Sequence, residues 1–204
     1  MMLFISLSGF GAASTSIFSS TFASISTAAT LLPSQPPKTS PPCSIFPNIT
    51  HNFYGTSTNE GQGPNIAYNC GNRSRVPGGL GTYVNPVTFA SAPAVFQRCE
   101  IIYDPYLRKY LRHDDYCSDC GDWNAGRVVC IKVWIGSGWL CGDGIEEIEC
   151  QRSLMAPERL DSIVRSPRRD LEVDSTPLYV PGFDRPSICN VDHIYPAYSL
   201  GDYC

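Results

Sequence analysis

The chain has 204 residues, enough for one domain with a hydrophobic core and a leader or tail. Its formal net charge is −4 and only 17% of its residues are charged, which predicts no nucleic-acid binding and no attraction to an anionic membrane. An even number of cysteines, spread along the chain, indicates disulfides in a secreted, extracellular protein without showing which residues pair. The ten are Cys43, Cys70, Cys99, Cys117, Cys120, Cys130, Cys141, Cys150, Cys189 and Cys204.

The first 42 residues are predicted to lie outside the folded domain. Residues 1–25 begin with an apolar stretch that ends in small residues, which predicts a signal peptide. No positive charge precedes Lys38, so a misplaced gene start is the alternative. Residues 26–42 are rich in Ser, Thr and Pro and are interpreted as a linker or stalk. The domain should span residues 43–204, with an irregular, proline-rich tail from about residue 160.

The domain is predicted to be mostly β. Short runs of β-branched and aromatic residues are bounded by Gly, Pro and Asn, a pattern typical of strands. A helix is expected over residues 147–160, although Pro157 interrupts it. The predicted strands cover residues 52–55, 86–90, 99–103, 109–115 and 128–135.

The strand over residues 109–115 carries the candidate catalytic residue. Side chains alternate along a strand, so Asp115 should share a face with Leu111 and His113, while Asp114 points the other way. Burial on this partly apolar face would raise the pKa of Asp115 toward that of a general acid. His113 would orient a carboxylate or serve a structural role.

Aromatic residues supply candidate sugar contacts. Tyr54, Tyr83 and Trp139 offer rings on which a sugar stacks, and Trp139 lies in a Gly-rich loop. Ordinary packing is the alternative for each ring. The sequons at Asn48 and Asn72 are candidate N-glycosylation sites.

The CxxC spacing of Cys117 and Cys120 permits two chemical interpretations. With Cys130 and Cys141 these residues would form a four-thiolate zinc site, but the later spacings are loose and a secreted protein favours disulfides. A thioredoxin-like redox motif requires a βαβ setting, which the sequence does not predict. We therefore expect disulfides, with no metal and no cofactor.

An ordered series of motifs points to a known superfamily. The chain resembles fungal secreted proteins of the double-psi β-barrel type, the superfamily of expansins, lytic transglycosylase-like proteins and one group of endoglucanases. The resemblance covers about residues 50–153. It rests on NFYG at 52–55, AYNCG at 67–71, GTYVNPVTFA at 81–90, CEIIY at 99–103, DYCSDC at 115–120 and CIKVWIG at 130–136.

This resemblance implies a six-stranded barrel with an open groove that Tyr54 borders and in which Asp115 lies. Lys132 stands where such relatives carry an essential aspartate, and lysine does not protonate a glycosidic oxygen as a carboxylic acid does. Either Asp119 or Glu146 replaces that acid, or the protein binds glycan without cleaving it. The expected function is that of a monomer that binds cell-wall polysaccharide or peptidoglycan. The alternatives are a glycoside hydrolase or muramidase-like enzyme and a non-catalytic secreted effector.

Overall fold

The computed structural model describes residues 41–56, 65–71, 73–120, 128–136, 144–155, 160–182 and 184–204. Six strands close into a barrel, one α-helix packs beside it, and a short two-stranded sheet follows, which confirms the mostly β prediction. The barrel strands are β1 (Ser44–Tyr54), β2 (Val87–Ser91), β3 (Ile101–Asp104), β4 (Lys109–Tyr116), β5 (Val129–Trp134) and β6 (Asp161–Arg165). The remaining elements are α1 (Gly144–Leu154), β7 (Tyr179–Val180), β8 (Ile188–Cys189) and short 3-10 helices at Val191–His193 and Leu200–Asp202.

Two parallel strand pairs set the barrel topology. The order around the barrel is β1-β5-β2-β4-β3-β6, in which β1 pairs parallel with β5 and β2 pairs parallel with β4. The other neighbouring strands are antiparallel. Because parallel strands require crossover connections, the barrel cannot be a simple meander.

The core is built from one face of these strands. Phe53 on β1 aligns with Val133 on β5, which aligns with Phe89 on β2 and then His113 on β4. All four side chains are buried. β2 is buried along its whole length, as expected for a strand whose two faces are both covered.

The sixth strand corrects the predicted start of the irregular tail. β6 lies at Asp161–Arg165, where the sequence analysis placed the end of a helix and the beginning of the tail. α1 ends earlier, at Leu154, which leaves room for a strand after Pro157. The run Asp-Ser-Ile-Val-Arg has the β-branched pair of a strand, but it is too short to be distinguished by its pattern from the surrounding segments. The other five predicted strands overlap observed ones, four of them with small shifts at their ends, but the prediction at residues 52–55 covers only the last three residues of β1.

Disulfides fasten the tail to the barrel. Cys43, directly before β1, is bonded to Cys204, the last residue of the chain, and Cys150 on α1 is bonded to Cys189 on β8. A bridge that closes so long a loop restricts the unfolded chain strongly. The two further bridges are Cys70–Cys99 and Cys117–Cys120.

The bridges bear on the predicted zinc alternative. Because Cys117 and Cys120 are bonded to each other, their sulfurs are not thiolates that bind zinc. Within the described ranges no cluster of His, Cys, Asp and Glu has a metal-binding arrangement. Over the same ranges, no helix combines the length and apolarity that a membrane span needs. Cys141 lies outside the described residues.

Candidate functional site

A β-bulge at Asp114 determines where the neighbouring side chains point. Phe89 aligns with His113 and Ala90 aligns with Asp115, so Asp114 is an extra residue in β4. His113 therefore shares the face of Phe89, whereas Asp115 shares the face of Ala90. The prediction that His113 and Asp115 lie on one face was wrong, because one inserted residue reverses the alternation after it.

A row of aligned side chains forms one wall of a cavity of about 540 Å³. Asn52 on β1 aligns with Lys132 on β5, Lys132 aligns with Ala90 on β2, and Ala90 aligns with Asp115 on β4. The small alanine in the middle of the row leaves space between the lysine and the carboxyl group. Ile148, Gln151 and Arg152 of helix α1 form another wall, together with Met155 just after the end of the helix.

Asp115 is a buried carboxyl group on the wall of this cavity. Its side chain accepts hydrogen bonds from the backbone N–H of Tyr116 at 2.8 Å and of Ala67 at 3.0 Å. The Tyr54 hydroxyl lies 3.5 Å from its second oxygen. Burial raises the pKa of Asp115 above its ordinary value, and the three hydrogen bonds oppose that rise. Burial also raises the pKa of Tyr54. Tyr54 and Asp115 are therefore brought together as predicted.

Lys132 and Asp119 form an ion pair on the same cavity wall. The lysine Nζ lies 2.7 and 3.0 Å from the two carboxylate oxygens. The hydrogen bond from Lys132 lowers the pKa of Asp119, so this carboxyl group is held in its charged form. Glu146, the other predicted substitute acid, accepts a hydrogen bond from Ser187 and does not line the cavity.

Two predicted sugar-binding residues lie elsewhere. Tyr83 packs edge-on against Tyr110 at 5.2 Å and lies beneath the Arg169 guanidinium at 4.8 Å, in a separate cluster. The His113 ring stacks on Phe89 at 5.2 Å, and burial lowers its pKa. The interpretation of His113 as a structural residue is therefore the better one, because its ring is enclosed by the core.

Of the three remaining predicted site residues, the structure describes only Asn48. Asn48 is exposed at a register shift of β1, where its backbone φ is 61°, so the amide is accessible to modification. Trp139 and Asn72 lie outside the described residues.

A buried charge cluster was missed by the sequence analysis. His51 Nε2 lies 2.7 Å from an oxygen of Asp104, and its Nδ1 lies 3.2 Å from an oxygen of Asp161. Burial lowers the pKa of His51, but the two carboxylates outweigh that effect and raise the pKa to about 9. His51 is therefore a buried imidazolium that links β1 to Asp104 at the end of β3 and Asp161 at the start of β6. No local spacing could reveal a set of partners so far apart in the chain.

Comparison with known proteins places this barrel in a family. Residues 46–190 match the family described as the DDB_G0273701 N-terminal domain. The chain belongs to this family. It is 35% identical over 60 residues to a Dictyostelium discoideum protein named "Uncharacterized protein DDB_G0273701/DDB_G0273221". That alignment covers 29% of this chain and 27% of the relative, so the chain spans about a quarter of the relative's length. No solved structure matches the chain.

Proposed function

We propose that this member of the DDB_G0273701 N-terminal domain family is a secreted protein that binds cell-wall polysaccharide or peptidoglycan in the cavity beside Asp115, without cleaving it. The observation that carries the proposal is the row Asn52, Lys132, Ala90 and Asp115, because it presents an amide, an ammonium and a carboxyl group along one concave wall. Such groups bond sugar hydroxyls.

The cavity also offers apolar surface for a sugar ring. Phe53, Tyr54 and Met155 line it together with the polar row. A ligand site of this kind combines apolar contacts with a few convergent polar groups. Its volume of about 540 Å³ lies within the range of ordinary ligand pockets.

The resemblance to double-psi β-barrel proteins supports the same proposal. A closed six-stranded barrel with two parallel pairs is compatible with that superfamily, whose members engage wall glycans. The position of Lys132 supports binding rather than hydrolysis, because a lysine paired with Asp119 offers no acidic proton to a leaving group. Four disulfides support an extracellular location.

Binding is tested by co-sedimentation of the purified protein with insoluble chitin, cellulose and peptidoglycan. We expect retention on one of them, a several-fold weaker affinity for Asp115→Asn, and a larger loss for Tyr54→Ala. Tyr83→Phe is the matched control, since Tyr83 packs away from the cavity and should bind as the wild type does. Equal retention of all variants, or no retention of the wild type, would reject the proposal.

A glycoside hydrolase is the second candidate, favoured by one observation. Two carboxyl groups line the cavity with pKa values shifted in opposite directions, that of Asp115 upward and that of Asp119 downward. Such a pair is the arrangement of a general acid and a charged partner. Release of reducing sugar by the wild type, abolished in both Asp115→Asn and Asp119→Asn, would establish hydrolysis in place of simple binding.

A further inference from the structure

Three cysteine sulfurs lie close together, and one of them, that of Cys117, belongs to the cavity lining. Cys117 and Cys120 are bonded to each other in the segment after β4, and Cys130 lies on β5. The Cys130 Sγ is 3.0 Å from the Cys120 Sγ, which is inside ordinary van der Waals contact for two sulfur atoms. Cys130 forms no disulfide with any cysteine in the described part of the chain.

The neighbours of Cys130 suit a thiol that takes part in exchange. Burial raises the pKa of its thiol, and this rise is opposed by the hydrogen bond that Asn52 Nδ2 donates to the sulfur at 3.0 Å and by the charge of Lys132. Both interactions stabilise negative charge on sulfur, which is the nucleophilic form. The side chain is only partly buried, so a reagent reaches it from solvent.

We propose that Cys117, Cys120 and Cys130 form a thiol–disulfide exchange site in which one disulfide moves between two positions. The Cys130 thiol loses its proton, and its sulfur attacks the Cys120 sulfur. The Cys120–Cys130 bond forms as the Cys117–Cys120 bond breaks, and the departing electron pair goes to the Cys117 sulfur, which takes up a proton. One disulfide and one thiol are present before and after the step, so no oxidant is consumed.

The exchange would change the wall of the cavity. Cys117 lines that wall, and its sulfur lies 3.2 Å from an oxygen of Asp119, the partner of Lys132. Moving the bridge to Cys130 releases the segment that carries Asp119 from Cys117 and ties it to β5. The exchange also places the free Cys117 thiol at the cavity. There it would react with small disulfides and with thiol-directed alkylating agents.

The test is disulfide mapping of the folded, full-length protein after alkylation with iodoacetamide. We expect alkylation at both Cys130 and Cys117. We also expect two populations of molecules, one with the Cys117–Cys120 bridge and the other with the Cys120–Cys130 bridge. In Cys130→Ser the alkylation of Cys117 should fall at least tenfold, because the attacking thiol is gone. The Cys70–Cys99 bridge is the internal control and should remain unlabelled in every sample.

A second variant keeps the test decisive if Cys130→Ser folds poorly. Cys117→Ser removes the competing partner, so Cys120 and Cys130 should be recovered bonded to each other after the reduced variant is reoxidised with glutathione disulfide. Alkylation of Cys117 in the wild type should also become about tenfold faster from pH 7 to pH 8, because burial raises the pKa of the Cys130 thiol and the thiolate fraction grows with pH.

Three results would overturn the proposal. The first is alkylation of Cys130 alone beside an intact Cys117–Cys120 bridge. The second is a fixed Cys120–Cys130 bridge that shows no exchange. The third is Cys130 bonded entirely to another cysteine, such as Cys141.

Discussion

Two charge clusters lie on opposite sides of strand β1 and differ in their exposure to solvent. His51 and Asn52 are adjacent on β1, and alternation sends the first to the sealed cluster with Asp104 and Asp161 and the second to the cavity with Lys132. In the sealed cluster the side chains are at most 2% exposed. In the cavity Lys132 is 28% and Asp119 is 71% exposed.

This difference in exposure distinguishes the charges that stabilise the fold from those that remain available to a ligand. A sealed ion pair cannot exchange its partner for water, so loss of one member leaves an uncompensated buried charge. An exposed pair is screened by solvent and contributes little, so a ligand displaces it at small cost. We therefore expect substitutions in the sealed cluster to act on folding and those in the cavity to act on binding.

The largest expected effect is that of His51→Ala. Removing the imidazolium leaves two carboxylates without their shared partner and empties the space stacked on Tyr106, so the free energy of unfolding should fall by about 3–5 kcal/mol. Urea denaturation near pH 7 measures this loss in the free energy of unfolding. Asn52→Ala, one residue along, is the control and should cost about 1 kcal/mol or less. Similar losses for both variants would remove the distinction between the two clusters.

The second effect is a pH dependence that comes from the same histidine. Because the pKa of His51 is raised in the folded protein to about 9, its stabilising contribution is complete below the unfolded value near 6.5 and is lost as the pH rises through 9. A shift of this size corresponds to roughly 3 kcal/mol. Urea denaturation between pH 6 and pH 9.5 should show this decline in the wild type and a flatter profile in His51→Gln. Parallel profiles would show that another group is responsible.

The sequence predicts the cavity better than the sealed cluster for a physical reason. Tyr54 and Asp115 were placed at a groove by short motifs, which are local features of the chain, whereas strand alternation wrongly put Asp115 on the face of His113. His51, Asp104 and Asp161 come together only when three separate strands close the barrel, and none of their local patterns indicates that meeting. The error at His113 has the same origin, since the bulge at Asp114 shows itself only in the pairing with β2.

The fold shows the same division between local and distant information. Five strands were predicted from their composition, whereas β6 was not, because its identity as a strand depends on β1 and β3 on either side of it. Lys132 was recognised as an unusual residue at its position. Its ion pair with Asp119 could not be predicted, because the pairing depends on how the segment after β4 folds back over β5.

A smaller effect is expected for Asp115→Asn. Because burial raises the pKa of Asp115, its charged form destabilises the fold above the ordinary pKa of an aspartate, and lower pH relieves that penalty. The asparagine oxygen still accepts the N–H groups of Ala67 and Tyr116. Thermal denaturation near pH 7 should therefore show unchanged stability or a gain of up to about 1 kcal/mol. A clear loss would place this carboxyl group with the sealed cluster, as a residue that the fold needs.

The smallest effect on stability is expected for Lys132→Met. Breaking an exposed ion pair should change the free energy of unfolding by less than about 1 kcal/mol. Its signature is instead the pKa of Asp119, which should rise toward the ordinary aspartate value because the Lys132 hydrogen bond holds it low. NMR titration of the Asp119 carboxyl group measures this rise. Arg168→Met breaks another exposed pair, with Asp170, and should leave the pKa of Asp119 unchanged. If Asp119 kept its low pKa without the lysine, the ion pair would not be what holds that carboxylate charged.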